Sequence, residues 1–180
     1  METQTSYFDK AGTGNTDEVL ALAKARAEEL GIRHLVVASS TGDTGARAAR
    51  LCPELTVIAV NGLYPEKIDA AHRAAIEAAG GTIICTGHAF GMLGRAVRKK
   101  LGAVQADEII AQTLKLFGEG MKVAAEVICM ATDASLVAPG EEVMAVGGTG
   151  RGADAAMVIR AAQTQDFFDM RILEIVCKPR

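Results

Sequence analysis

Tryptophan is absent from this chain and aromatic residues make up only 4% of it, so a site that stacks its ligand between aromatic rings is not expected. The four cysteines, Cys52, Cys85, Cys129 and Cys177, form no CxxC pair. Three of them lie in apolar, strand-like runs where a thiol serves as a small buried hydrophobe, which fits a reducing cytoplasm rather than a disulfide framework. The three histidines, His34, His72 and His88, have no metal-ligand spacing to one another or to the cysteines, and no metal is expected. No run approaches the roughly 20 apolar residues that span a bilayer. The opening METQTSYFDKAGTGNT lacks the basic-then-apolar order of an export signal. Neither membrane insertion nor export is expected. With 23% charged residues and a formal net charge of -3, the chain has no excess of basic residues, and no nucleic-acid partner is implied.

What is present is an apolar-rich chain of 180 residues, 49% hydrophobic, enough to bury one core without metals or disulfides. No repeat or linker interrupts it, so a single domain over residues 1–180 is expected. NTDEVLALAKARAEELG, residues 15–31, reads as a helix with Val19, Leu22, Ala23, Arg26 and Leu30 on one face. Asn15 and Glu18 stand in capping-box positions, and Gly31 is the stop. HLVVASS, ARAARL and LTVIAVNG follow as strand, helix and strand. Pro65 opens a further helix that Gly80 and Gly81 end before the strand TIICTG. This βαβαβ alternation implies parallel strands with right-handed crossovers. Residues 90–101 and 105–118 read as two more helices. Beyond Gly120 the runs MKVAAEVICMAT, EEVMAVGG, AAMVIRAA and MRILEIVCKP all read as strands, without a long helical pattern between them. The expected fold is three-layer α/β/α, with a mostly parallel central sheet and mixed or antiparallel C-terminal strands.

Three loops carry candidate chemistry. In SSTGDTG, the hydroxyls of Ser39, Ser40, Thr41 and Thr44, with Gly42, Asp43 and Gly45, come after a buried strand and before a helix. Ligands of open α/β sheets collect at such strand ends, and a helix N-terminus offers free N–H donors to a phosphate. The same residues also suit a turn that merely caps the helix. The loop alone leaves both readings open. It has no GK[ST], so it is not a Walker A loop. The second stretch, VGGTGRGAD, contains Gly147, Gly148, Arg151, Gly152, Ala153 and Asp154, but its glycine spacing is not GxGxxG and a strand follows it. It reads either as a broad turn or as a concavity of N–H groups that approaches a ligand together with Arg151. The third, CTGHAFGMLGRAVRKKLG, brings Cys85 and His88 to a strand end; a buried Cys with a His lining a cleft is the favoured reading over a Cys/His pair.

HLVVASSTGDTGARAARLCPELTVIAVNG resembles the βαβ unit that forms the effector-phosphate pocket in the C-terminal α/β domain of pyruvate kinase. The ordered pieces NT at residues 15–16, HLVVASS, GDT, GH to KKLG, AVGG, RGAD, VIR and FFD to CKPR extend the resemblance over nearly the whole chain. They are similar to free-standing archaeal and bacterial proteins of the pyruvate kinase α/β domain-like family. The resemblance implies the same three-layer fold and, because members are associated with bound flavin mononucleotide (FMN), an FMN pocket. On the matching positions, Ser39, Ser40, Thr41, Gly42, Asp43 and Thr44 would hold the phosphate. Gly147, Gly148, Arg151, Gly152, Ala153 and Asp154 would lie near it or the flavin, with Asn15, Thr16 and His88 as further members. Thr41 and Gly45 depart from the family pattern. Pyruvate kinase activity itself is not expected, since 180 residues hold no counterpart of the barrel that binds phosphoenolpyruvate.

The reading is therefore a cytoplasmic binding protein for FMN or a similar small phosphorylated ligand, its ring on aliphatic and methionine side chains. One alternative is a flavin-dependent oxidoreductase in which Asp154, Arg151 or His88 tunes the flavin or polarises a substrate. The other is a regulatory or interaction domain with a phosphate-effector site. A homo-oligomer is compatible with strand edges left to pair.

Overall fold

The computed structural model describes residues 2–180. Strands Ser6–Phe8 (β1), His34–Ala38 (β2), Thr56–Asn61 (β3), Thr82–Cys85 (β4), Glu142–Gly147 (β5), Ala155–Arg160 (β6) and Arg171–Pro179 (β7) form one sheet in the order β1-β7-β6-β5-β2-β3-β4. β5, β2, β3 and β4 run parallel, as does β1 beside β7, while β6 is antiparallel to both its neighbours. The α/β class and the mixed C-terminal strands are as expected from the sequence. Six α-helices accompany the described strands: Thr16–Leu30 (α1), Asp43–Leu51 (α2), Ala70–Ala78 (α3), Met92–Leu101 (α4), Ala106–Lys115 (α5) and Glu119–Asp133 (α6). None is long and apolar enough to cross a membrane.

Alternation along each strand divides the core between two faces. Leu35, Val37, Val57, Met144 and Val146 pack with Val19, Leu20, Ala23 and Ala48 of α1 and α2. Val36, Ile58, Val60, Ala145 and Met157 pack on the other side with Ala124, Ile128 and Ala131 of α6. Each fully buried Val, Leu, Ile or Met side chain contributes about 1.5–3 kcal/mol relative to leaving it exposed.

Four local expectations are corrected. MKVAAEVICMAT is not a strand: it lies within α6, where every residue from Gly120 to Thr132 except Val123 is buried. The run has few polar positions, with Lys122 and Glu126 alone marking one face at i and i+4, so the apolar residues around them read as a strand. Pro65 opens only the short 3-10 turn Pro65–Lys67. The helix proper begins at Ala70, where Asp69 accepts from the N–H groups of Ala71 (2.8 Å) and His72 (3.2 Å). Asn15 precedes α1 without capping it, because its Nδ2 donates to Lys10 O at 2.7 Å instead. The face of α1 that packs inward carries Val19, Leu20, Ala23 and Ala27, whereas Leu30 is exposed and Arg26 is drawn to Glu174 on β7. Gly31 does end α1, with φ 66°.

Candidate functional site

Because β5, β2 and β3 are parallel, their carboxyl ends meet on one edge of the sheet. α2, leaving β2, covers one face, and α6, leading through its loop to β5, covers the other. The connections on either side of β2 thus diverge, which is where open α/β sheets form ligand crevices. A cleft of about 800 Å³ lies there, within the roughly 300–1,000 Å³ usual for small-molecule sites.

Four stretches of chain bring expected residues to it. Ser39, Ser40, Thr41, Asp43 and Thr44 line it after β2, Gly148, Arg151 and Gly152 after β5, Thr16 from the first turn of α1, and His88 after β4. Gly42, Gly147, Ala153, Asp154 and Asn15 are not among its lining residues. The first four shape its walls.

The β2 loop is arranged by its own hydrogen bonds. Ser39 N–H donates to Val60 O (2.9 Å), and Ser39 Oγ accepts from Gly45 N–H at 3.1 Å. Asn61 Nδ2 donates to Ser40 O at 2.7 Å, tying the loop to β3. Gly42 turns the chain into α2 with φ 87°, a conformation that favours glycine. With Ser39 holding the Gly45 amide, the N–H groups of Asp43 and Thr44 have no protein acceptor among the described residues. The Asp43 carboxylate would repel an anion, but Arg47 Nε lies 3.2 Å from its Oδ2. The same pairing with Asp43 raises the Arg47 guanidinium pKa further. What the turn offers an anion is its amides rather than its carboxylate.

The loop after β5 is braced by Asp154, which is fully buried. Its Oδ2 accepts from Gly12 N–H (2.9 Å) and Thr149 N–H (3.2 Å), and Asp154 N–H donates to Gly147 O (3.0 Å). Thr16 Oγ1 accepts from Ala153 N–H at 3.0 Å, joining the loop to α1. A Cβ on Gly152, whose φ is 72°, would stand 2.4 Å from Thr16 Oγ1. Asp154 is therefore a brace, and Arg151 is the exposed tip it presents.

The opposite wall holds charged residues that the sequence reading missed. Lys122 and Glu126, one turn apart on α6, line the cleft, yet their side chains are only 8% and 4% exposed. Glu126 accepts from Lys122 Nζ and from Phe90 N–H (3.0 Å), and its Oε2 lies 3.5 Å from His88 Nδ1. Burial alone would raise the Glu126 pKa, but His88, Lys122 and the Phe90 amide together hold it below the usual carboxylate range. Glu126 is thus ionised, its charge balanced by Lys122. His88 Nδ1 is buried, and its 3.5 Å approach to Glu126 Oε2 is too long for a well-formed hydrogen bond. Asn61, Arg47, Lys67 and Arg95 also line the cleft. The signal for Lys122 and Glu126 was two charges at i and i+4 inside an otherwise apolar run, a spacing that places both on one face of a helix.

Residues 17–159 match the family model for the pyruvate kinase, alpha/beta domain. The chain belongs to that family. Among solved structures, a Cryptosporidium parvum pyruvate kinase in complex with ADP is 17% identical over 82% of this chain and 24% of that one, with a TM-score of 0.43. Another Cryptosporidium parvum pyruvate kinase structure is 14% identical, covering 85% and 24% of the two chains, with a TM-score of 0.40. An O-ureido-L-serine synthase is 16% identical over 66% of this chain and 48% of that one, with a TM-score of 0.32. The chain spans about a quarter of the length of the pyruvate kinases it matches.

Proposed function

We propose that the cleft of this pyruvate kinase α/β domain binds a small phosphorylated ligand, FMN, with its phosphate on the turn from Ser39 to Thr44. The observation that carries the reading is the meeting of free amides and cations at one place. Asp43 and Thr44 N–H lack protein acceptors, and Arg47, Lys67 and Arg151 line the same cleft. The first turn of α1 reaches it through Thr16. Helix N-termini favour anions through their dipoles as well as their N–H groups. The rest of the wall suits a planar ring: Ala38, Val60, Val123, Val127 and Met130 are apolar neighbours. When bound, FMN supplies hydride and one-electron chemistry, while the protein supplies grip and orientation.

Titrating FMN against the protein and following quenching of its fluorescence tests the reading, with riboflavin as the comparator that lacks the phosphate. FMN is expected to bind at least about tenfold more tightly, since a charge-assisted phosphate grip is worth more than about 1.4 kcal/mol. Equal affinities, or no binding of either, reject it. The position of His88 on the cleft wall, 3.5 Å from the Glu126 carboxylate, favours a second reading, a flavin-dependent oxidoreductase in which His88 polarises a substrate. NADH or NADPH turnover by the loaded protein, lost in His88→Asn while FMN stays bound, would support that reading, and absence of turnover rejects it.

A further inference from the structure

A second concave site adjoins the cleft. It is a groove of about 340 Å³ between α4, α5 and α6, with Arg95, Arg98, Lys99, Lys115 and Lys122 along its walls and Glu108 as the only carboxylate among its lining residues. Arg95 and Lys122 also line the cleft, so the two spaces share a wall. This concentration of cations is local, since the whole chain has a formal net charge of -3.

The ion pairs around the groove do not balance it. Arg98 is held by Glu108 at 2.9 Å, Lys115 by Glu119 at 3.0 Å, and Lys122 by Glu126. Arg95 and Lys99 have no ion-pair partner among the described residues. Lys122 is the telling member. Its side chain is 8% exposed; its ammonium, which carries three donors, donates to Glu126 and stands 5.8 Å from the Phe90 ring centroid. A buried cation is expensive to maintain unless its remaining protons are used. A low-dielectric concave wall focuses the field of such charges on whatever anion enters. Gln112 adds a neutral hydrogen-bonding group, and Phe90 and Ala111 close the floor. Five cations around so small a space match a ligand whose negative charges are close together, rather than a single anion.

We propose that this groove binds a small ligand with two or more adjacent phosphates, such as inorganic pyrophosphate or the phosphate chain of a nucleotide. It lies next to, and is distinct from, the phosphate turn after β2. Lys122 and Arg95 would contact the end nearest the cleft, and Arg98 and Lys99 the far end.

Calorimetric titration of the full chain with inorganic pyrophosphate and with inorganic phosphate, at constant ionic strength, tests this. Pyrophosphate is expected to bind at least about tenfold more tightly than phosphate. Replacing Arg98→Gln and Lys99→Gln together removes two exposed side chains and is expected to weaken pyrophosphate at least about tenfold, with circular dichroism unchanged. Lys24→Gln with Arg73→Gln removes the same charge from α1 and α3, on the other face of the sheet, and is expected to change affinity less than about threefold. Ser40→Asp places a negative charge on the phosphate turn and is expected to spare pyrophosphate. The proposal is overturned if pyrophosphate fails to bind, if the α4 double variant binds it unchanged, or if Ser40→Asp abolishes its binding. Loss of FMN binding alone, with pyrophosphate still dependent on Arg98 and Lys99, rejects only the cleft reading.

Discussion

Glu126 shows how a single buried charge is held. Its pKa is lowered because His88, Lys122 and the Phe90 amide outweigh the cost of burial. A carboxyl whose folded pKa is depressed contributes stability above its unfolded pKa, and that contribution disappears as pH falls through the folded value. Glu126→Gln leaves Lys122 buried without its counter-ion and is expected to cost roughly 3–5 kcal/mol at neutral pH. Urea unfolding at pH 7 would measure it. The gap between wild type and variant should narrow below the usual carboxylate range, where the wild-type carboxyl also becomes neutral. A gap that persists unchanged at acid pH would show that packing, not charge, is lost. The three buried thiols behave oppositely: burial pushes Cys52, Cys129 and Cys177 up, Cys177 to about 12, as suits small packing residues, whereas Cys85, expected from the sequence to be buried, is exposed at the end of β4.

Among the elements, α6 decides the most. It covers one face of the sheet and carries Lys122 and Glu126 to the cleft and groove. Its close approach to β5 depends on Gly120: a Cβ there would stand 2.2 Å from Asp154 Oδ1 and 3.0 Å from the Ala155 Cβ. On an exposed helix, glycine to alanine gains up to about 1 kcal/mol. At Gly120 the added methyl meets the loop brace, and overpacking of about 1–3 kcal/mol should prevail. Gly120→Ala is therefore expected to lower the unfolding midpoint, and a raised midpoint would contradict this packing account. The helix was also the element least legible in the sequence. α1, α2 and β2 announce themselves by the Gly31 stop, the Gly42 turn and the apolar runs between them, all local signals. α6 is buried on nearly every side, and the one charged pair inside its apolar run, Lys122 and Glu126 at i and i+4, is outweighed by the apolar β-branched residues around it.

At the scale of the whole molecule, a ligand that binds the folded state alone raises its stability by mass action. If the cleft holds FMN as proposed, FMN at about 100 times its dissociation constant is expected to add about 2.7 kcal/mol, or roughly 5–10 °C in Tm for a domain of this size. Differential scanning calorimetry with FMN and with riboflavin at the same concentration is the measurement. An equal shift from riboflavin would remove the phosphate turn from the account. The site was partly legible, and the division follows its construction. Ser39 to Thr44 are contiguous and sit between a strand and a helix, so their place at a strand end is written locally. Asp154 was expected near the ligand, and what the sequence did not reveal is that its Oδ2 braces the amides of Gly12 and Thr149 while its Oδ1 is buried without a hydrogen-bond partner. Arg95 and Lys122 are 27 positions apart, and only the packing of α4 against α5 and α6 makes them neighbours on one wall.

The sequence by itself determined the parallel β2-α2-β3 unit, the position of the turn from Ser39 to Thr44 at a strand end and the family of the domain. Each rests on spacing within a few tens of residues, where strand length, turn chemistry and helix caps act directly on the backbone. Only the tertiary structure decided that β5 lies beside β2, that α6 is a helix, and that His88, Lys122 and Glu126 share a wall. Those outcomes depend on which apolar faces bury one another, and burial rewards surface removed from water regardless of how far apart its residues lie in the chain.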